Sequence, residues 1–324
     1  MKYDIIMNSP PLLRDFLTYS ETVKGKSTAS IDEYYFDLTT FFKYLKQTRK
    51  RVDAHTPFSD IDISDIDIDI LKTVTLSDLH SFLVFCKLER GNNSTTRARK
   101  CSTLRIFFKY LTAHKGLLTD NPAELLDTPS IRKSLPKHLT LEESIDLLKS
   151  VDGPNKERDY CILTLFLNCG MRLSELCNIN LTDIRSDNSL RLLGKGNKER
   201  IVYLNEACCN AINSYLAVRP KDDIPPSYAN ALFISRNKRR ISNKTVQHLV
   251  KTYLDKAGLS GMGLSTHKLR HTAATLMYQQ GGVDIRILKE ILGHANLGTT
   301  QIYTHVADKQ IEDAIKSNPL AKIK

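Results

Sequence analysis

The chain has 324 residues, with 47 Lys or Arg against 36 Asp or Glu and a formal net charge of +11. This length favours two domains, each with its own core, and the basic excess favours a polyanionic partner such as nucleic acid. No run reaches the roughly 18 apolar residues that a bilayer span requires, and the N-terminus lacks the pattern of a signal peptide. The seven cysteines form no CxxC pair and several lie in apolar runs. We therefore predict a cytoplasmic protein with buried, reduced thiols and no membrane partner.

Residues 1–126 have the patterning of a small helical domain. In the segment 31–45, Ile31, Leu38 and Leu45 mark one apolar stripe of an amphipathic helix that Ser27 or Thr28 is suited to cap. Segments 11–23, 76–89 and 94–113 carry similar patterns. Four main helices are expected.

Between the second and third of these helices lies DIDISDIDIDI, from Asp60 to Ile70. Its alternation suits a β-strand, whereas its carboxylates would repel a phosphate backbone. We interpret it as a peripheral loop or short edge strand that faces away from DNA. A functional acidic patch is the alternative.

Five basic residues are the candidates for DNA contact outside the catalytic region. Arg97, Arg99 and Lys100 lie in the first turns of the fourth helix, although a solvated basic face explains them equally well. Arg132 and Lys133 belong to residues 127–139, a proline-containing basic segment that has the character of an interdomain linker and would suit a strand lying across DNA.

The second domain, residues 140–324, is expected to begin at a capping box formed by Thr140 and Glu143. An apolar helix then ends at Gly170, and the string GMRLSEL follows. Arg172 and Glu175 are i, i+3 neighbours on one helical face, so the carboxylate can orient a guanidinium that grips two phosphate oxygens. An inconsequential surface ion pair is the alternative.

Residues 190–193 and 201–204 flank GKGNKER, a pattern that predicts a β-hairpin with a glycine-rich turn. The turn lacks the GK[ST] ending of a phosphate-binding loop. Lys195 at the tip is placed to reach into a substrate groove. Lys198 competes for that role, and a solvated turn lysine is also consistent with the pattern.

In STHKLRHT, Ser265 or Thr266 is placed to cap a helix whose first turns carry His267 and Arg270 on one face. The N-terminal end of a helix attracts anions, so this pair suits a phosphate. His267 and His271 have the i, i+4 spacing of zinc ligands, but no third ligand follows, and we predict no metal site.

A helix over 285–292 is closed by Gly293, and LGHANLGTTQIYTHV then presents His294 and Tyr303. A tyrosine beside Ile302 is usually a packing residue. Here, however, a phenol accompanies two arginines, imidazoles and a lysine. These groups supply a nucleophile, stabilisation of a pentavalent phosphate and a proton for the leaving oxygen, which is phosphodiester chemistry without metal, cofactor or ATP.

These motifs resemble those of the tyrosine recombinases, the phage-integrase-type site-specific recombinases, and most closely their bacterial Xer-like branch. By this resemblance Arg172, Lys195, His267, Arg270 and His294 are catalytic, Tyr303 is the nucleophile and Glu175 is the supporting acid. The resemblance implies a mainly α protein, in which an N-terminal four-helix core-binding (SAM-like) domain precedes a mixed α/β catalytic domain with a small β-hairpin.

The resemblance also implies the reaction. Two molecules would bind inverted half-sites on double-stranded DNA, and two such dimers would form a tetramer. Strands would then exchange through 3′-phosphotyrosyl intermediates and a Holliday junction. The apolar stripe Ile311, Ala314 and Ile315 would support assembly in a neighbouring subunit, although packing within the same subunit is an equal alternative.

Other points stay open at this stage. Helical patterning close to the N-terminus predicts a simple recombinase without an arm-binding domain. Chromosome dimer resolution and the inversion or movement of a small element both remain, as does the need for a second recombinase or an accessory translocase. A type IB topoisomerase and a DNA-binding relative that does not cut are the alternative classes.

Overall fold

The computed structural model describes residues 9–53, 55–130, 137–194 and 199–293. The chain divides into two compact units, residues 1–133 and 134–324. The division falls within the segment predicted as a linker.

The N-terminal unit is helical. Its helices are α1 (Pro11–Thr22), α2 (Thr28–Thr48), α3 (Ile68–Lys72), α4 (Leu76–Leu88) and α5 (Ser94–Lys109), and a π-helical turn, Tyr110–His114, continues α5. The four long helices lie where the amphipathic patterns predict them, and Ser27 caps α2 through the backbone N–H of Ser30. The short helix α3 was not expected.

Phenylalanines dominate the core of this unit. Phe16 and Phe107 meet edge to face with ring centroids 5.2 Å apart, and Phe41 meets Phe82 at 5.1 Å. Such pairs add roughly 0.5–1.5 kcal/mol each beyond the burial of their apolar surface. The fully buried rings are Phe16, Phe41, Phe42, Phe82, Phe107 and Phe108.

The segment Asp60–Ile70 departs from its prediction as a peripheral loop or edge strand. No residue of it is in a strand; Phe58–Asp60 is a 3₁₀ turn, and the chain then runs irregularly into α3. Ile61, Ile66 and Ile70 are almost fully buried, so this loop is part of the core. The buried Lys46 ammonium donates to the Asp62 carbonyl oxygen at 2.9 Å and to Asp65 at 2.7 Å. The alternation therefore separates core-facing isoleucines from aspartates without forming a sheet.

The second unit combines helices with one β-hairpin. The helices are α6 (Leu141–Lys149), α7 (Lys156–Cys169), α8 (Leu173–Asn178), α9 (Glu206–Val218), α10 (Asn243–Lys256), α11 (Thr266–Gln279) and α12 (Ile285–Leu292). Strands β1 (Ser189–Leu193) and β2 (Glu199–Tyr203) pair antiparallel, with Leu192 opposite Arg200. The predicted hairpin and the capping box of Thr140 and Glu143 are confirmed.

Helix α7 is the centre of this unit. It packs against α9 and α11, and its run from Cys161 to Leu167 is buried on every side. Six of the seven cysteines are buried and all seven are free thiols. None of the described helices is both long and apolar enough to cross a membrane.

Candidate active site

The turn between α7 and α8 presents Arg172. Helix α7 ends at Gly170, whose φ of 56° lies in the left-handed region that favours glycine. Arg172 occupies the N-cap position of α8, and its backbone N–H donates to Glu175 Oε2 at 2.8 Å. Its guanidinium Nη1 donates to Glu175 Oε1 at 2.6 Å. The ion pair predicted from GMRLSEL is confirmed, and the Glu175 carboxylate binds both the backbone N–H and the guanidinium of Arg172.

Glu175 is the hub of the cluster, with a side chain only 1% exposed. Besides Arg172 it accepts from Arg200 Nη2 at 2.8 Å, and Arg270 Nη1 lies 4.0 Å from its Oε2. Burial raises the pKa of this carboxyl, but the charge of Arg200 and hydrogen bonds from Arg200 and Arg172 hold the pKa below its ordinary value. Three guanidinium groups around one carboxylate leave a surplus of positive charge beside a buried acid.

Arg270 ties two chain segments together. It lies on α11, is 3% exposed, and donates from Nη1 to the Gly170 carbonyl oxygen at 2.7 Å and from Nη2 to that of Leu292 at 2.6 Å. Gly170 approaches α12 so closely that a Cβ there would lie 2.8 Å from a Leu292 methyl group. The ends of α7 and α12 therefore meet at this arginine.

His267 precedes Arg270 by one turn, as STHKLRHT predicts. Burial lowers the pKa of His267, and the positive charges of Arg270, Lys268 and Arg172 lower it further. Its Nε2 lies 3.0 Å from Nε2 of His271. Because its pKa is lowered, the His267 imidazole is neutral near pH 7 and able to accept a proton.

The end of α12 closes the cluster. Gly293 terminates that helix with φ 63°, and its carbonyl oxygen accepts from Arg172 Nη2 at 2.9 Å. A Cβ on Gly293 would lie 2.7 Å from Arg200 Cδ and 3.8 Å from Arg172 Nη1. Both arginine side chains therefore lie against Gly293, the glycine of the motif LGH.

The described residues bring Arg172, Glu175, His267 and Arg270 to one place, as predicted. Lys195, its competitor Lys198, His294 and Tyr303 lie outside the described residues, as do Arg132, Lys133 and the apolar stripe Ile311, Ala314 and Ile315. In the described part of the chain there is no group of three His, Cys, Asp or Glu side chains arranged to hold a metal ion.

The candidate DNA contacts on α5 are placed differently from one another. Lys100 is 6% exposed, and its ammonium donates to the buried Asp37 at 2.9 Å, a position that does not suit a phosphate contact. Arg99 donates to the same carboxylate at 2.6 Å but keeps a side chain 36% exposed. Arg97 donates to the Asn92 carbonyl oxygen at 2.6 Å and to Ser94 at 3.3 Å. Arg99 and Arg97 remain candidates, and Lys100 is corrected to a structural residue.

Arg200 is the member of the cluster that sequence reasoning missed. A signal was present, because Arg200, Val202 and Leu204 alternate in the string ERIVYL and therefore share one face of the strand. A charged residue on an apolar face needs a buried partner of opposite charge. The turn by itself predicts the hairpin, whereas the inward arginine follows only from the alternation along the strand.

The chain is similar in sequence to known proteins. The phage integrase family matches residues 137–310. The tyrosine recombinase XerC of Caldanaerobacter subterraneus subsp. tengcongensis is 53% identical over 313 residues, which cover 97% of this chain and 88% of that protein. The tyrosine recombinase XerA of Pyrococcus horikoshii is 36% identical over 321 residues, 97% of this chain and 95% of that protein. The chain therefore belongs to the phage integrase family, the tyrosine recombinases.

Solved structures show the same fold. The XerH site-specific recombinase bound to palindromic difH substrate, in a post-cleavage complex, matches with a TM-score of 0.71 and 22% identity over 94% of this chain and 83% of that one. A lambda integrase dimer bound to a COC′ core site matches with a TM-score of 0.65 and 17% identity over 90% and 93% of the two chains. These neighbours are recombinases bound to DNA.

Within its family the chain is a Xer-type enzyme, a site-specific DNA recombinase that cleaves and rejoins DNA. The mainly helical fold with a small antiparallel sheet is the one predicted. The topoisomerase and the non-cutting DNA-binding protein, the two alternative classes, are not supported by these relatives.

Proposed function

We propose that the cluster around Glu175 binds the scissile phosphate of duplex DNA and that Tyr303 attacks it. Arg172 and Arg270 neutralise the non-bridging oxygens, and Glu175 orients Arg172. His267, Lys195 and His294 complete the set, with Lys195 as the general acid. The carrying observation is the buried Glu175 carboxylate, which two guanidiniums bind while a third lies at 4.0 Å.

Arg172 is the arginine of the cluster best placed to meet DNA. Its side chain is 37% exposed, whereas those of Arg200 and Arg270 are 12% and 4% exposed. Glu175 and the Gly293 carbonyl oxygen each accept one of its hydrogen bonds, and a guanidinium has five donors. Donors therefore remain for a phosphate on its open side, with the plane of the guanidinium already fixed.

The proposed reaction needs no external energy source. The Tyr303 phenol oxygen attacks phosphorus, the bond to the 5′-oxygen breaks, and a 3′-phosphotyrosyl bond forms. The leaving 5′-oxygen takes a proton from Lys195, and the neutral His267 is available to receive the phenolic proton. A 5′-hydroxyl of the partner strand then reverses these steps, so each strand is rejoined without ATP.

We propose that the substrate has inverted half-sites bound by a dimer, and that two such dimers form a tetramer which exchanges strands through a Holliday junction. The palindromic substrate of the XerH complex and the lambda integrase dimer on its core site support this arrangement by analogy of fold. A second recombinase and an accessory translocase are further participants that the reaction permits.

A nicked suicide substrate tests the nucleophile. Wild-type protein should accumulate a covalent adduct on the 3′-phosphate, because the short strand released by cleavage diffuses away. Tyr303→Phe should form none. An adduct that persists in this variant would show that another residue attacks.

The general acid has its own test. Lys195→Ala should cleave an ordinary phosphodiester slowly, and a 5′-bridging phosphorothiolate should restore its rate because a thiolate leaves without a proton. Lys198→Ala is the matched control and should respond equally to both substrates. Rescue confined to Lys198→Ala would transfer the role to Lys198.

Two biological roles fit the proposed reaction. One is chromosome dimer resolution, which serves chromosome segregation at cell division, and the other is the inversion or movement of a small element. Mapping protected DNA in cells separates them. Protection at the replication terminus supports the first role, and protection beside the gene supports the second.

A further inference from the structure

Arg200 occupies a position in the hairpin where an apolar residue is expected. It lies on β2 opposite Leu192, on the face whose other members, Leu190, Leu192 and Val202, are buried. Its side chain is 12% exposed. A charged group that replaces an apolar one on such a face is unfavourable unless its partners compensate.

The compensation that Arg200 receives is incomplete. Its Nη2 donates to Glu175 Oε2 at 2.8 Å, but its Nε and Nη1 are buried and have no hydrogen-bond partner among the described residues. Unsatisfied donors on a buried charge are rare in folded proteins and call for an explanation. Stability alone does not explain them.

Two other arginines of the second unit donate mostly to backbone carbonyl oxygens instead of a carboxylate. Arg240 donates to the carbonyl oxygens of Cys177 and Ile179 and to Asn180 Oδ1, at 2.6 to 3.1 Å. Arg219 likewise donates to a series of backbone carbonyl oxygens. These two arginines hold loops together, whereas the one described acceptor of Arg200 is the carboxylate that orients Arg172.

Arg200 also lies against the turn that leads to His294. The 2.7 Å separation between its Cδ and a Cβ built on Gly293 leaves room there for glycine alone. Arg172 contacts the same glycine through the Gly293 carbonyl oxygen. Arg200 is thus in contact with both the acid partner of Arg172 and the backbone before His294.

We propose that Arg200 is a positioning residue of the cleavage reaction, which holds Glu175 so that Arg172 faces the scissile phosphate, and whose charge adds positive potential there. This inference rests on the proposed function, in which Arg172 binds that phosphate. Arg200 itself is buried and acts through Glu175 and through its charge.

The experiment compares single-turnover cleavage by Arg200→Met, Arg200→Lys and wild type on the suicide substrate. Because a small misplacement of a catalytic group is costly, Arg200→Met should cleave about 100-fold more slowly. Arg200→Lys keeps the charge with fewer donors and should fall between Arg200→Met and wild type. Affinity for the site should change little in either variant.

A methylphosphonate at the scissile position supplies the readout that a structural role would not move. Replacing a non-bridging oxygen by methyl removes negative charge and with it part of the demand for a cation. The ratio of the wild-type cleavage rate to that of Arg200→Met should therefore shrink about ten-fold or more on this substrate. The reason is that a methylphosphonate transition state carries less negative charge for a cation to stabilise. Arg191→Met is the matched control, because Arg191 lies on β1 and pairs with Asp183 and Glu199. It should cleave both substrates at nearly the wild-type rate.

Wild-type rates in Arg200→Met, or an equal deficit on both substrates, would overturn the proposal. Thermal denaturation identifies loss of folding, and if Arg200→Met does not fold, the comparison is made with Arg200→Lys. An adduct that maps to a residue other than Tyr303 would contradict the proposed function. The substrate comparison for Arg200 is still decided in that case, since it follows rates whichever residue attacks.

Discussion

Each unit contains a buried carboxylate that accepts hydrogen bonds from two basic side chains, and the two sites differ in how exposed and how well hydrogen-bonded those side chains are. In the N-terminal unit Asp37, 2% exposed, accepts from Arg99, Lys100 and Thr103 at 2.6 to 2.9 Å. In the second unit Glu175, 1% exposed, accepts from Arg172 and Arg200. Lys100 is buried with its acid, whereas Arg172 reaches solvent and Arg200 has two donors without partners in the described part of the chain. The Asp37 cluster stabilises the N-terminal unit, whereas the Glu175 cluster directs positive charge toward the proposed phosphate site.

The largest expected effect concerns the Asp37 site. Asp37→Asn leaves the Lys100 ammonium buried without its counter-charge, so the free energy of unfolding should fall by about 3–5 kcal/mol. Urea denaturation followed by circular dichroism measures it. Asp69→Asn is the control, because its ion pair with Lys72 is exposed and should contribute at most about 1 kcal/mol.

A double variant sharpens this result. Asp37→Asn with Lys100→Met removes both buried charges and should recover part of the lost stability. If Asp37→Asn were no more destabilising than Asp69→Asn, Asp37 would not be the structural anchor of its unit.

The next effect concerns the Glu175 site and is kinetic. Glu175→Gln keeps the shape but loses the charge that fixes Arg172, so suicide-substrate cleavage should slow about 100-fold with little change in affinity. The substitution also leaves the buried Arg200 without its counter-charge, so thermal denaturation must show that the variant is folded at the assay temperature. Glu199→Gln, an exposed acid beside Arg191, should cleave normally. If Glu175→Gln cleaved at the wild-type rate, the Glu175 carboxylate would have only a structural role, like that of Asp37.

The smallest expected effect is a dependence of stability and cleavage rate on the protonation of His267, which lies in the positive field of the Glu175 cluster. Its pKa is lowered in the folded protein by burial and by Arg270, Lys268 and Arg172. The unfolded chain therefore binds the proton more readily, and stability falls as pH drops through the ordinary histidine value of about 6.5 toward the folded pKa. Cleavage should decline over the same window if the neutral imidazole takes part.

Rates measured against pH under single-turnover conditions test this expectation. His267→Gln should remove most of the decline, and His248→Gln, at an exposed position on α10, should leave it in place. A decline centred above the ordinary histidine value would contradict the lowered pKa.

Local patterns predicted much of this molecule. Capping residues, apolar periodicity and glycine stops placed the long helices, and short motifs placed Arg172 with Glu175 and His267 with Arg270. Pairings between distant residues were not predictable in this way. Lys100 is buried because of Asp37, 63 positions earlier, and without that partner its helix position indicated only a basic face. The isoleucines of Asp60–Ile70 are buried by packing against other helices, which their alternation does not encode.

The two hydrogen bonds of Arg270 bear on how the enzyme is made. One acceptor is the carbonyl oxygen of Gly170 and the other is that of Leu292, the last residue of α12. A ribosome-bound chain that has not yet released Leu292 lacks the second acceptor, and the turn that follows α12 cannot yet receive Arg172. A chain that stops before Leu292 therefore lacks two of the backbone acceptors that hold the arginine cluster, the carbonyl oxygens of Leu292 and Gly293.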